Sequence, residues 1–188
     1  MKIVHVVESF GGGVYTYLKD LSHFLSKQPS IVVTIIYSNK RHAITKEQIT
    51  RDFSGNIEMI CISMERELNL VRDIQTTLQL RRLFSTIKPD VIHLHSSKAG
   101  VLGRCASFFV KGKNYVFYTP HGYSFLREDV SVAKRKFYRF AERITQKVFG
   151  GTTVACGDTE HTIAENIGKS VLVRNGIDVA KLHNYYIP

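Results

Sequence analysis

Pro89–Asp90–Val91–Ile92–His93–Leu94–His95–Ser96–Ser97–Lys98–Ala99–Gly100 is the stretch on which the fold turns. Pro89 ends the helical pattern that precedes it. Val91 to His95 is a run of strand length, and Ser96 or Ser97 can cap a helix that follows at once, from Ala99 to Val110. A strand that passes straight into a helix is the repeating unit of a parallel sheet covered by helices.

The same alternation extends in both directions. Strand-like runs occupy Lys2–Val7, Ile31–Tyr37 and Ile57–Ile62 before this unit, and Tyr115–Thr119, Thr152–Cys156 and Val171–Arg174 after it. Most are apolar on both faces, as strands between two helix layers must be. Val14, Tyr17, Leu18, Leu21, Phe24 and Leu25 recur at helical spacing, and Leu70 to Lys88 gives a second helix. Ala133, Phe137, Ala141, Ile144 and Val148 form the apolar stripe of another, stopped by Gly150–Gly151. The stretch from Lys40 to Gly55 is polar and weakly periodic, and no element is assigned to it. The expectation is an α/β domain, a Rossmann-like parallel sheet of six or seven strands with helices on both faces.

Composition sets the class. With 44% hydrophobic and 22% charged residues over 188 positions, the chain fits one soluble globular domain with a sizeable core. The net charge of +10 favours anionic partners. No recognised nucleic-acid motif accompanies that charge, so nucleic acid is not an expected partner. Cys61, Cys105 and Cys156 lie far apart in apolar patterns and read as small buried residues in a reducing compartment. No secretory signal precedes the first strand, and no apolar run is long enough to span a bilayer. A cytoplasmic chain is expected, touching a membrane from its inner face at most.

In open parallel sheets, ligands bind outside the carboxyl ends of the strands. Ser9–Phe10–Gly11–Gly12–Gly13 follows the first strand there, and its glycines allow close backbone approach to an anion, or simply a tight turn. Ser96, Ser97, Lys98 and Gly100 converge at a helix start as a phosphate or diphosphate cradle, with Arg104 one and a half turns further on. His93 and His95 share one strand face. No third metal ligand is visible, so they read as packed or hydrogen-bonded histidines, and neither a metal nor any cofactor is expected.

Thr119–Pro120–His121–Gly122–Tyr123 ends the fifth strand. Pro120 and Gly122 hold His121 at the rim, where its imidazole can donate a hydrogen bond or proton. Gly157–Asp158–Thr159–Glu160–His161 offers Asp158 or Thr159 as a helix cap. Arg135, Lys136, Arg139, Arg143 and Lys147 cluster opposite the apolar stripe of their helix. They read either as a solvated outer face or, for Arg139, Arg143 and Lys147, as a contact with anionic lipid.

Taken in order, these segments resemble the N-terminal domain of glycosyltransferase family 4 enzymes, which have the two-domain GT-B fold. The carriers are Lys2–Val7 with Gly11–Gly13, Pro89–Arg104, Thr119–Gly122 and Val173–Asp178. The Ser-Ser-Lys-Ala-Gly and Thr-Pro-His-Gly-Tyr-Ser-Phe versions are most similar to members that extend undecaprenyl-diphosphate-linked sugars for surface polysaccharides. The resemblance implies retaining, metal-independent transfer from a nucleotide-sugar donor to a lipid-linked saccharide acceptor. It implies that Gly12 and Gly13 face the donor diphosphate and that His121 lies next to the transferred sugar. The domain would span residues 1–178 and an interdomain linker would start at 179–188, the donor domain lying beyond the chain. A stand-alone nucleotide-binding or epimerase-like Rossmann module and a noncatalytic membrane-binding domain remain as alternatives.

Overall fold

The computed structural model describes residues 1–40, 44–53, 55–65, 67–112 and 114–176. The expected linker at 179–188 and the Ile177–Asp178 end of the hinge motif lie outside the described residues. Among the described residues, seven strands form one sheet: β1 (Lys2–Val7), β2 (Val32–Tyr37), β3 (Ile57–Cys61), β4 (Val91–His95), β5 (Tyr115–Thr119), β6 (Thr152–Ala155) and β7 (Ser170–Leu172). Their order is β3-β2-β1-β4-β5-β6-β7, and every pairing is parallel. The chain therefore reverses its direction of progress between β1 and β4, which opens a crevice at their carboxyl ends.

Among the described residues, six α-helices connect the strands: α1 (Gly12–Ser26), α2 (Lys46–Asp52), α3 (Leu70–Ile87), α4 (Ser97–Phe108), α5 (Val132–Phe149) and α6 (Asp158–Glu165). Alternate residues of β1 enter different cores, as the period of two requires. Val4 and Val6 pack with Leu80, Phe84, Leu94, Leu102 and Ala106 beneath α3 and α4. Val7 packs with Phe10, Leu18, Val33 and Ile35 beneath α1. At α4 the helix lies unusually close to the sheet. A Cβ on Gly100 would meet the Tyr118 ring at 2.5 Å, and one on Gly103 would meet Leu94 at 2.3 Å.

Several local expectations change. Helix α2 lies in the polar stretch left unassigned, started by a capping box in which Thr45 and Gln48 satisfy each other's backbone amides. Gly157, not Asp158 or Thr159, is the N-cap of α6. Ser96 occupies the N-cap of α4 but makes no side-chain cap bond. Cys61 is exposed, and Cys105 and Cys156 are half-buried, so none of the three is a sealed core residue.

The largest reversal concerns α5. Its inward residues are polar: Glu142, Thr145 and Gln146 are buried. Phe137, Ile144 and Val148, expected to face the core, are between 41% and 51% exposed, and Phe140 beside them is 62% exposed. The pattern is amphipathic as read, but a buried polar network takes the inner face and leaves the apolar row outside.

Candidate active site

A cavity of about 490 Å³ opens at the carboxyl ends of β1, β4 and β5. Glu8 and Ser9 reach it from β1, Ser96 and Ser97 from β4, and His121 from β5. Phe137, Ala141 and Glu142 of α5 close the far side, so polar groups at the strand ends face a partly apolar wall. Convergence at the point where strand order reverses is where an α/β sheet binds ligands.

Two of the pocket residues carry costly backbone conformations. Ser96 has φ 72° and ψ 156°, a region that is essentially glycine territory, and its hydroxyl is buried without a hydrogen-bond partner among the described residues. His121 has φ 51°. Strain of this kind persists where the surroundings over-determine it, and it gathers at sites of function. At His121 the determinant is Glu160, whose carboxylate accepts from the Gly122 amide at 3.0 Å and from the Cys156 amide at 2.8 Å. Glu160 thus ties the β5 turn to the end of β6.

Behind His121 lies a chain of imidazoles on the α1 side of the sheet. His121 Nε2 is 3.1 Å from His95 Nδ1, and His95 Nε2 is 3.0 Å from His5 Nδ1. His5 pairs in register with His93, whose Nε2 lies 2.8 Å from Thr119 Oγ1. Tyr17 of α1 packs edge-on against His121, ring centres 5.1 Å apart. Burial holds His5 and His121 down at about 4. It holds His93 and His95 well below the usual histidine range, with neighbouring imidazoles adding to the effect. All four are neutral at pH 7. The fold supplies His5 as the third histidine that sequence spacing did not reveal. One nitrogen from each of His5, His93 and His95 lies within 4.8 Å of the others, but these rings are engaged in hydrogen bonds to one another and to Thr119.

The residues expected to form an anion cradle part company. Ser96 and Ser97 line the pocket, and Ser97 Oγ accepts from the Ser124 amide at 3.4 Å. Lys98 also lines it, but its ammonium is paired with Asp73 of α3 at 2.7 Å. Gly100 is filled by the Tyr118 ring and serves helix–sheet packing instead. Arg104 does not reach the pocket. It is 1% exposed, lies over the Tyr118 ring at 4.3 Å, donates to Gln146 at 2.8 Å and sits 3.7 Å from Glu142. Helical rotation carries its side chain to the α5–β6 side, where buried acceptors wait. Gly12, with φ 55°, and Gly13 stand exposed beside the pocket, with no atom within 4 Å of where a Cβ would sit. Arg139, Arg143 and Lys147 are exposed on α5, away from the pocket floor, and Arg139 also lies over Phe125 at 5.0 Å.

Four participants escaped the sequence reading. Glu8, buried at the mouth of β1, follows a strand too closely to stand out from a loop acid. His5 looked like one polar residue in an apolar strand. Glu142 sat inside a run read as solvated, and Glu160 looked like a first-turn acid. A signal existed only for His5, which shares strand parity with His93 and His95 once β1 and β4 are known to be neighbours.

The sequence pattern of Glycosyltransferase Family 4 matches residues 11–181. A protein of Klebsiella pneumoniae described as an uncharacterized 41.2 kDa protein in the cps region is 32% identical over 150 residues, 78% of this chain and 38% of that protein. The Escherichia coli UDP-Gal:alpha-D-GlcNAc-diphosphoundecaprenol alpha-1,3-galactosyltransferase is 30% identical over 122 residues, 62% of this chain and 30% of that enzyme. The chain thus spans well under half the length of these relatives. In structure it resembles the lipopolysaccharide outer core galactosyltransferase WaaB, with a TM-score of 0.69 at 15% identity, over 95% of this chain and 47% of that one. At that identity the likeness speaks for the fold, and the match over residues 11–181 speaks for the lineage: the chain belongs to glycosyltransferase family 4.

Proposed function

We propose that this chain is the acceptor-side half of a retaining glycosyltransferase that moves a sugar from a nucleotide-sugar donor to a lipid-linked saccharide in surface polysaccharide synthesis. The observation that carries the reading is the convergence of Glu8, Ser96 and the strained His121 on one cavity at the strand-order reversal. A neutral His121 can donate one hydrogen bond to a sugar hydroxyl or to charge developing on a leaving diphosphate. Gly12 and Gly13, open on their outer side, suit a donor diphosphate approaching from across an interdomain cleft. Ser96 and Ser97 supply hydroxyls to the acceptor within the pocket. The Escherichia coli relative, whose name specifies a UDP-sugar and a diphosphoundecaprenol acceptor, supports this substrate class.

A membrane-bound acceptor requires the pocket to meet a membrane. No helix among the described residues is long and apolar enough to cross one. The exposed apolar row of α5 and its basic neighbours Arg139, Arg143 and Lys147 form an interfacial surface suited to anionic lipid. Leu68, 62% exposed, lines the same pocket, and Leu70 and Val71 close to it in sequence are 77% and 65% exposed. The test is a transfer assay on the full-length protein with nucleotide-sugar donors and a lipid-diphosphate-linked sugar acceptor. Formation of a disaccharide-lipid with the donor's anomeric configuration retained supports the reading. Donor epimerisation or hydrolysis without transfer contradicts it.

A further inference from the structure

We propose that His5 and His95 are positioning residues, a directional relay of imidazoles that places the single proton of His121 on Nδ1, the ring nitrogen left free for the pocket. The inference rests on the reading of His121 as the group that faces substrate.

The argument runs from the buried end of the chain outward. His5 is fully enclosed between β1, β2 and β4, and its Nε2 has no hydrogen-bond partner among the described residues. A buried N–H without an acceptor is rare in folded proteins, and an unshared lone pair is better tolerated. The neutral ring therefore leaves Nε2 bare and carries its proton on Nδ1. That N–H points at His95 Nε2, 3.0 Å away, which must then accept. A neutral imidazole that accepts through one nitrogen is protonated on the other. His95 Nδ1–H is thus the donor to His121 Nε2 over 3.1 Å, and His121 in turn holds its proton on Nδ1.

Each element that packs here is consistent with this direction. The shifts of all three rings keep them uncharged, so each has one proton to place. The aromatic neighbour from α1, Tyr17, meets His95 and His121 by ring packing, with ring centres 5.8 and 5.1 Å apart. The left-handed backbone at His121, held by Glu160 through Gly122, fixes the ring where His95 can reach it. Free neutral histidine side chains favour the Nε2–H form, so a run of three Nδ1–H imidazoles is a distinctive outcome.

The test is two-bond nitrogen–proton correlation NMR on the 15N-histidine-labelled chain at pH 7.5, with single-histidine variants for assignment. The expected spectrum shows His5, His95 and His121 all as Nδ1–H tautomers. His5→Phe removes the first donor and should shift His95 and His121 toward Nε2–H. His5→Asn, whose amide nitrogen replaces Nδ1–H, should restore both. If His5→Phe fails to fold, His95→Gln serves instead, because a glutamine amide can donate or accept and no longer imposes a direction on His121. In the full-length protein, His5→Phe should lower turnover about tenfold with little change in donor KM, and His5→Asn should recover most of it. An Nε2–H proton on His121 in the unmodified chain overturns the relay, as does a His121 tautomer untouched by His5→Phe and His95→Gln. Stoichiometric Zn2+ binding by His5, His93 and His95 overturns it too, because the relay nitrogens would be ligands. The functional reading fails by a different result, namely His121→Ala with near-normal turnover and the Nδ1–H tautomers in place.

Discussion

Glu160 Oε1 accepts the Gly122 amide at 3.0 Å while its Oε2 accepts the Cys156 amide at 2.8 Å, so one carboxylate anchors both the turn that carries His121 and the end of β6. A glutamine in its place keeps one acceptor and turns an NH2 toward the other backbone donor. Glu160→Gln should therefore cost about 1–2 kcal/mol in urea denaturation, the loss of a charge-assisted bond. It should lower turnover further than that stability loss explains, because His121 would leave its left-handed conformation. Unchanged turnover would mean the turn holds without Glu160.

Arg104 and Glu142 form the centre of the polar layer under α5. Burial works against both charges, pushing the Glu142 carboxyl up and the Arg104 guanidinium down, while their mutual attraction and the Tyr118 hydroxyl partly offset it. Breaking such a pair leaves a buried charge alone. Arg104→Ala should destabilise by about 3–5 kcal/mol in denaturant titration. A loss below about 1 kcal/mol would show that Glu142 is already protonated and that the layer is held by hydrogen bonds alone.

The buried histidines set an acid limit on stability. Their folded values lie below the ordinary 6.5, near 4 for His5 and His121. Between pH 6.5 and 4 the unfolded chain binds protons that the folded chain refuses, so stability falls as pH falls through that window and is fully present above it. His5 alone contributes a loss of about 3 kcal/mol across it. Thermal melts from pH 8 to 4 should show a steep decline below 6.5, and His5→Asn should make it shallower while the other three histidines keep part of it. A melting temperature that stays level from pH 7 to 5 would contradict the burial of neutral imidazoles.

The proposed membrane contact of α5 combines its exposed apolar row with its basic residues. Liposome co-sedimentation should favour anionic over neutral vesicles, with about 1 kcal/mol contributed by each of Arg139, Arg143 and Lys147, and should weaken with salt. Phe140→Ser with Val148→Ser should reduce binding even at low salt, because apolar insertion is lost and the charges remain. Equal binding to neutral and anionic vesicles would mark the charges as a solvated face.

Much of the fold was legible because the strands of a parallel sheet are buried on both faces and stand out as short apolar runs. β1, β4 and β5 begin and end where the sequence places them. What failed was the direction in which an amphipathic helix faces. Periodicity gives α5 two sides, but only the partners decide which side is inner, and Arg104, Tyr118 and Thr153 come from three distant elements. The same limit applies to the site. Ser96 and His121 could be found because each follows a strand end directly, whereas Glu8, Glu160 and His5 gain meaning only from β1, β4, β5 and β6 lying side by side. Helix α2 was a different omission, since its Thr45–Gln48 capping box is present in the sequence and was masked by weak periodicity.

The central claim is that His121 acts on the transferred sugar or its leaving group from the wall of the cavity. The most direct test compares His121→Ala with the unmodified full-length protein for turnover, donor affinity and melting temperature. The account predicts turnover lowered by about a hundredfold or more, the loss seen when one preorganised donor is removed. Donor affinity should change much less. The melting temperature should stay within a few degrees, since the ring lies at the pocket wall and not in either apolar core. Near-normal turnover with an intact fold would contradict the account.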